Sequence, residues 1–289
     1  MSGAGGIVQE RAEVLAAGPV GAHVALTLVA PGVAESARPG QLVSLAVGGG
    51  DSSLVLRRSC ALYGATPAGD YAGTIQVVVG GADPGDAWLA ARRPGDVLDV
   101  VGPLGRGFEP PATAAPVVLV GGGRGAAALI PLARSLVEQG CAVEFVVGAA
   151  TAGRLFGELV ARRTAGEVTV VTEDGSAGER GRVTDVLPLV LARSRAGAVY
   201  ASGPAPMLEA VGLAAAAAGA SAQVALESRG ACGGALCTTC VLPVRGADGR
   251  TRFAVACQDG PVFPAESVRW ADLDRLPADL VGAAAMAAG

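Results

Sequence analysis

The chain has 289 residues, of which 51% are apolar and 17% charged, enough for two or three compact domains with real cores. Its net charge is −4, its 22 basic residues are all arginine and scattered, and no basic stripe suggests a nucleic-acid footprint. No run of 18 apolar residues escapes a charge, proline or glycine, so no membrane-spanning helix is expected, and Met1 to Glu10 lack the pattern of a secretory leader; the expected location is cytoplasmic.

Residues 7–110 read as short strands. Val24–Val29, Gln41–Val47, Thr74–Val79 and Asp96–Val101 are β-rich runs. Pro31-Gly32, Pro39-Gly40, Gly48 to Asp51 and Pro94-Gly95-Asp96 punctuate them as turns. Regular short strands with turn signals predict a small barrel or sandwich. Leu56-Arg-Arg-Ser-Cys-Ala61, Pro84-Gly-Asp-Ala-Trp-Leu89 and Gly102-Pro-Leu-Gly-Arg-Gly-Phe108 lie between or after these runs; the second reads as a helix start.

After Pro110-Pro111 the period changes. Strands are expected at Pro116–Val120, Cys141–Val147, Val168–Thr172 and Ala198–Ala201. Helices are expected from the glycine loop to Leu136 and over Leu155–Thr164, Val183–Arg193 and Ala205–Ala218. Strands alternating with helices imply a parallel sheet with crossover helices. From Glu227 the chain turns rich in Gly, Cys and Thr, and it ends in an Ala-rich run.

Cys232-Gly-Gly-Ala-Leu-Cys237-Thr-Thr-Cys240, followed by Cys257, has the spacing C-x4-C-x2-C-x16-C. That is the plant-type pattern for a [2Fe–2S] cluster, in which four thiolates hold two irons. Four cysteines also suit structural zinc, although zinc sites more often pair two close knuckles and Cys257 has no close partner. Gly121-Gly-Gly123-Arg-Gly125-Ala126 fits G-x-G-x-x-A after a strand and before a helix. Such glycines let backbone approach a pyrophosphate at a helix N-terminus; the same pattern also serves as a plain strand-to-helix turn. Glu144 lies about 20 residues on, where a ribose ligand is sought, but within a strand. His23, the single histidine, has no visible catalytic partners, and Cys60 and Cys141 read as small buried hydrophobes.

In this order of parts the chain resembles the ferredoxin–NADP reductase superfamily, and within it the electron-transfer subunits of the bacterial NAD-dependent dihydroorotate dehydrogenases. The carriers are Glu227-Ser-Arg-Gly-Ala-Cys232, Cys257-Gln-Asp-Gly-Pro-Val-Phe263, Gly102-Pro-Leu-Gly105, Thr172-Glu-Asp-Gly-Ser176 and Ser202-Gly-Pro-Ala-Pro-Met-Leu208. The resemblance implies an FAD-binding β-barrel at 1–112, a Rossmann-like NAD-binding α/β domain at 113–225, and a small [2Fe–2S] lobe with the C-terminal tail at 226–289. It implies cluster ligands Cys232, Cys237, Cys240 and Cys257. It places flavin contacts at Arg58, Ser59, Gly85 and Asp86, and dinucleotide contacts at Gly121, Gly123 and Gly125. Ser59 and Ala61 stand where that family's flavin motif has proline and serine, and Asp86 where a threonine is usual. Arg124 stands where a small or aliphatic residue is common, and Ala201 where a cysteine is frequent. The expected partner is an FMN-containing catalytic subunit, in a heterotetramer of two plus two. Electrons from dihydroorotate would pass through the cluster and FAD to NAD, with no side chain here acting as acid or base. Two other readings are a flavin and iron–sulfur subunit of a ferredoxin oxidoreductase or sulfhydrogenase, and a non-catalytic zinc-stapled binding module.

Overall fold

The computed structural model describes residues 6–49, 52–69, 72–80, 83–226, 232 and 236–280. The runs Glu227–Ala231 and Gly233–Ala235 of the cysteine segment, and the Ala-rich end from Val281, lie outside them.

Six strands and two short helices come first: β1 (Val8–Val20), β2 (His23–Val29), α1 (Pro31–Ser36), β3 (Leu42–Leu45), β4 (Arg58–Thr66), β5 (Thr74–Val79), α2 (Pro84–Ala90) and β6 (Val97–Leu104). They close into an antiparallel barrel in the order β1-β2-β5-β4-β3-β6, sealed by β6 on β1 from Val8↔Gly102 to Glu13↔Val97. Side chains alternate along each strand, so Ala12, Val14, Leu26, Leu28, Ile75, Val77, Leu98 and Val100 all point into one buried core. Val33 of α1 and Leu89 of α2 stopper it.

Two sequence readings change here. Pro31-Gly32 opens α1 rather than a turn, because proline's fixed φ and missing N–H suit the first helical position. The segment after Leu56 is itself a strand, β4. Its small and polar residues (Arg58, Ser59, Gly64, Thr66) hide a β-pattern that pairing with β3 and β5 enforces.

The second layer system follows as β7 (Val117–Gly122), α3 (Ala126–Glu138), β8 (Val143–Ala149), α4 (Glu158–Thr164), β9 (Glu167–Thr172), β10 (Glu179–Arg180), α5 (Val183–Ser194), β11 (Ala198–Gly203), α6 (Ala205–Ala217) and β12 (Ser221–Leu226). Then come the hairpin β13 (Val241–Arg245) and β14 (Thr251–Val255), and a short β15 (Val262–Pro264). The sheet order is β10-β9-β8-β7-β11-β12-β15; all pairs are parallel except β15, which adds antiparallel to β12. Helices α3 and α4 cover one face, and α5 and α6 the other. The chain runs outward from β7 through β8 and β9, then returns to the other side of β7 at β11. Ligands of such sheets bind where the order reverses, beyond the carboxyl ends of the strands. No helix among the described residues is long and apolar enough to cross a membrane.

The helix expected from Leu155 begins at Glu158. Gly157 adopts φ +77°, and Phe156 is buried edge-on against Tyr63 and His23 of the barrel. These ring contacts fasten the sheet domain to the barrel. A second clasp involves the linker residue Glu109. Its carbonyl accepts from Tyr200 Oη at 3.0 Å and from Gln223 Nε2 at 2.8 Å, while its N–H donates to Gln223 Oε1 at 2.9 Å. Phe108 packs edge-on to Tyr200.

Burial pushes the Tyr200 hydroxyl up to about 12, with Cys141 and Glu109 adding to the shift. A phenol held neutral in the fold contributes fully below its ordinary value of about 10, and that contribution is lost as pH rises through the folded value. Alkaline melts should therefore show a loss of stability above about pH 10 in the wild type, and Tyr200→Phe should lack that component while losing about 1 kcal/mol at neutral pH from the missing hydrogen bond.

Candidate functional site

Two cavities flank the switch point. The first, about 800 Å³, opens above the carboxyl ends of β7, β8, β9 and β11. Gly122 to Gly125, Gly148 to Ala150, Glu173 and Gly203 to Met207 line it, with Arg154 and Arg182 at its edge. Gly123 has φ +52°, a left-handed turn that turns β7 into a single 3-10 turn and then α3. Gly125 runs against β11: a Cβ there would lie 2.6 Å from the Ser202 carbonyl oxygen. No side chain caps the start of α3, so its backbone N–H groups face the cavity mouth without a protein anion. Gly121 does not line the cavity; it sits in β7, where a side chain would collide with Ala126. Glu144 is at the far end of β8, buried, and hydrogen-bonded by Arg193 Nε at 2.9 Å. It holds α5 to the sheet and is no ribose ligand.

The segment after β9 shapes one wall. Asp174 accepts from Ser176 N at 2.9 Å and Ser176 Oγ at 2.6 Å, and those bonds hold its carboxyl below the usual carboxylate range. Ser176 Oγ in turn accepts from Ala152 N at 2.8 Å. The resulting turn presents Glu173 to the cavity.

The second cavity, about 750 Å³, lies between barrel and sheet domain. Arg57, Arg58, Ser59, Cys60, Ala61, Asp83 and Asp86 line it from the barrel, and Arg124, Gly125, Ser202 and Leu226 from the sheet domain. Volumes of this size suit small ligands and cofactors. Arg58 donates from Nε and Nη2 to Asp83 Oδ1 at 3.1 and 2.9 Å. The same oxygen caps α2, accepting from Gly85 N at 2.7 Å and Asp86 N at 3.1 Å. A Cβ on Gly85 would strike the Arg58 guanidinium. The hydrogen bond from Arg58 comes first among the causes that hold the Asp83 carboxyl below its usual range; backbone N–H groups add to it and burial opposes it. Asp83 was missed in the sequence, although Asp followed by Pro-Gly is a helix-start signal. Arg57 is spent on the barrel: it bonds Ser44 and the carbonyl of Asp99 and pairs with the Asp99 carboxylate at 2.7 Å.

Asp86 meets a cation. Its Oδ2 lies 3.0 Å from Arg124 Nη1, so the two unexpected residues of the sequence are partners across the domain junction. His23 packs behind them. Burial first, and then Arg124, hold its pKa below the ordinary value, with Asp86 opposing; its Nδ1 has no hydrogen-bond partner.

The cysteine lobe abuts the second cavity. Thr239 lines that cavity, one residue before Cys240. Cys232 Sγ accepts from the N–H groups of Leu236 and Cys237, both at 3.3 Å, which is the environment a thiolate ligand needs. Cys240 and Cys257 form a small buried cluster with Ala256 at the base of the β13–β14 hairpin, where Ala256 N donates to Cys240 O at 2.9 Å. Among the described residues, no three His, Cys, Asp or Glu side chains are drawn together as a finished metal-binding group. The donor chemistry nonetheless fits a cluster: four free thiols, two of them buried, and backbone donors aimed at a third. Arg106 N donates to the Gly260 carbonyl, joining Gly102–Gly105 to the run after Cys257. Cys60 and Cys141 are buried and remote in sequence from this group.

The profile of the iron–sulfur cluster binding domain of dihydroorotate dehydrogenase B matches residues 227–269. The dihydroorotate dehydrogenase B (NAD(+)) electron transfer subunit of Bacillus caldolyticus is 40% identical over 248 residues, covering 84% of this chain and 91% of that protein. The chain belongs to this family of electron-transfer subunits. The Fusobacterium nucleatum member is 34% identical, covering 82% and 88%. The solved NADH-dependent reduced ferredoxin-NADP oxidoreductase, described for flavin-based electron bifurcation, superposes with TM-score 0.77 at 29% identity, covering 94% of this chain and 93% of that one. The ferredoxin reductase of a carbazole 1,9a-dioxygenase shares the fold, with TM-score 0.62 at 20% identity.

The double duty of Asp83 has a measurable consequence. Asp83→Ala should cost about 1 kcal/mol through the lost cap. Because the folded carboxyl is depressed, its contribution is present at neutral pH and is lost as pH falls through the folded value. The gap in Tm between wild type and Asp83→Ala should narrow on acidification; a gap independent of pH would contradict this linkage.

Proposed function

We propose that this chain is the NAD-linked half of a dihydroorotate-oxidising complex, with residues 1–112 carrying FAD, 113–225 taking NAD, and 226–289 holding a [2Fe–2S] cluster. One observation carries the reading. The cysteine lobe, the barrel cavity and the dinucleotide cavity are contiguous: Thr239 reaches the second cavity, and Arg124, Gly125 and Leu226 line both cavities. Bound there, flavin and cluster supply the conversion between one-electron and two-electron transfer. The residues position and insulate. Cys232, Cys237, Cys240 and Cys257 are the cluster ligands. Arg58 and Ser59 face the flavin, with Gly85 giving Arg58 the room to lie over the start of α2. Gly123, Gly125 and the uncapped start of α3 receive the dinucleotide phosphates. The only histidine has its Nδ1 buried behind this site, so the chain's role is electron transfer rather than proton abstraction. Zinc in place of the cluster is disfavoured by the match of residues 227–269 to an iron–sulfur domain.

The partner is an FMN-containing dihydroorotate dehydrogenase catalytic subunit, in a two-plus-two heterotetramer, with the complex in the cytoplasm. Its docking surface is the cysteine loop. Leu236 is 88% exposed beside Cys237, an isolated large apolar side chain where a one-electron partner must come close.

Anaerobically purified protein should hold about two irons and two sulfides per chain, and Cys257→Ser should lose most of both; stoichiometric zinc in iron-replete protein would sink the cluster. Leu236→Arg keeps the backbone N–H that serves Cys232. It should leave the visible spectrum intact but weaken co-purification with the catalytic subunit and slow dihydroorotate-driven NAD reduction. Unchanged coupled turnover in that variant would place the docking surface elsewhere.

A further inference from the structure

Asp86 points a carboxylate into the cavity assigned to FAD, a molecule with two phosphates. Its side chain is only 13% exposed, so the charge is poorly screened by water. An unpaired carboxylate there would oppose an anionic ligand, and its own burial would be costly. Arg124 answers both problems. It comes from the opposite domain, at the turn between β7 and α3, and reaches Asp86 Oδ2 at 3.0 Å. Arg124 lines both cavities, whereas Asp86 lines only the second. The other cavity aspartate, Asp83, already has Arg58. The two aspartates are thus matched one to one, and Arg57, bound to Ser44 and Asp99, cannot stand in for Arg124.

We propose that Arg124 is a positioning residue for the flavin: its ion pair with Asp86 neutralises the one carboxylate that would otherwise repel the flavin pyrophosphate, and the two residues are functional only as a pair. The inference rests on the reading that the second cavity takes FAD. Its distinctive consequence is non-additivity. If Arg124 acted by touching phosphate directly, removing Asp86 as well would not help. If Arg124 acts by compensating Asp86, removing both charges restores the site.

The test is FAD affinity of the full-length chain, stripped and reconstituted, read by quenching of flavin fluorescence. Arg124→Leu should weaken FAD binding by about tenfold, the scale expected when one member of a largely buried pair is removed. Asp86→Asn together with Arg124→Leu should return it to within about threefold of wild type, since a neutral amide leaves no charge to compensate. Asp86→Asn alone, which tests the idea even if Arg124→Leu fails to fold, should bind FAD at least as tightly as wild type. A double variant as weak as Arg124→Leu, a wild-type affinity in Arg124→Leu, or weakened binding in Asp86→Asn would each overturn the proposal. Failure of the wild-type chain itself to take FAD would overturn the flavin reading beneath it; a wild type that binds FAD with no rescue in the double variant would overturn the pairing alone.

Discussion

Two backbones touch at the centre of this molecule, and the rest is arranged around that contact. Gly125 opens α3 against Ser202 and Gly203 at the end of β11, at a distance that leaves no room for a Cβ. The contact draws the carboxyl ends of β7 and β11 together at the point where the strand order reverses. A larger residue would force α3 away from the sheet. The first cavity would lose its floor, and the second would lose Arg124, Gly125 and Ser202 from one wall. One packing constraint therefore sets the relation of both cavities.

Charge then decides what those cavities can hold. With no lysine in the chain, every basic group is a guanidinium, whose fork can bond several oxygens at once. The structure uses this to pin arginines rather than leave them free. Arg57 is spent on Ser44 and Asp99, Arg58 on Asp83, Arg124 on Asp86 and Arg193 on Glu144. Three of these pairs lie around the second cavity, where three arginines face two aspartates, which leaves the lining suited to an anion without a loose excess of charge.

Much of this was legible in the sequence. The change from period two to alternating strand and helix near Pro110 marked the passage from barrel to parallel sheet, because each architecture imposes its own repeat. The cysteine spacing is specific because few other sites need it. What escaped was whatever depends on distant residues meeting. Asp86 and Arg124 looked like two separate departures, 38 positions apart, and become one interaction only when barrel and sheet dock. Glu144 sat at the right sequence distance for a ribose ligand but at the wrong end of its strand, a fact that spacing along a chain does not carry. β4 was hidden because barrel closure makes a strand of residues with little preference for one. β15 is three residues long and ends in proline, too short to announce itself; it is an edge strand, where proline is tolerated.

That short strand explains how the cysteine lobe is held near the cavities. Leaving the β13–β14 hairpin, the chain passes Cys257 and reaches Gly260, whose carbonyl accepts from Arg106 at the end of the barrel. Leu226 N then donates to the Pro261 carbonyl at 3.0 Å, and β15 pairs along β12. The segment after the last cysteine is therefore tied to the barrel and to the sheet within two residues. Phe263 and Val262 bury into the two faces of the sheet's core, so the tie is apolar as well as hydrogen-bonded. A lobe attached by one covalent strand would swing; one anchored to both neighbours keeps Thr239 at the mouth of the second cavity. Electron transfer needs its centres held close, and the fold secures this with backbone hydrogen bonds that no side-chain motif reveals.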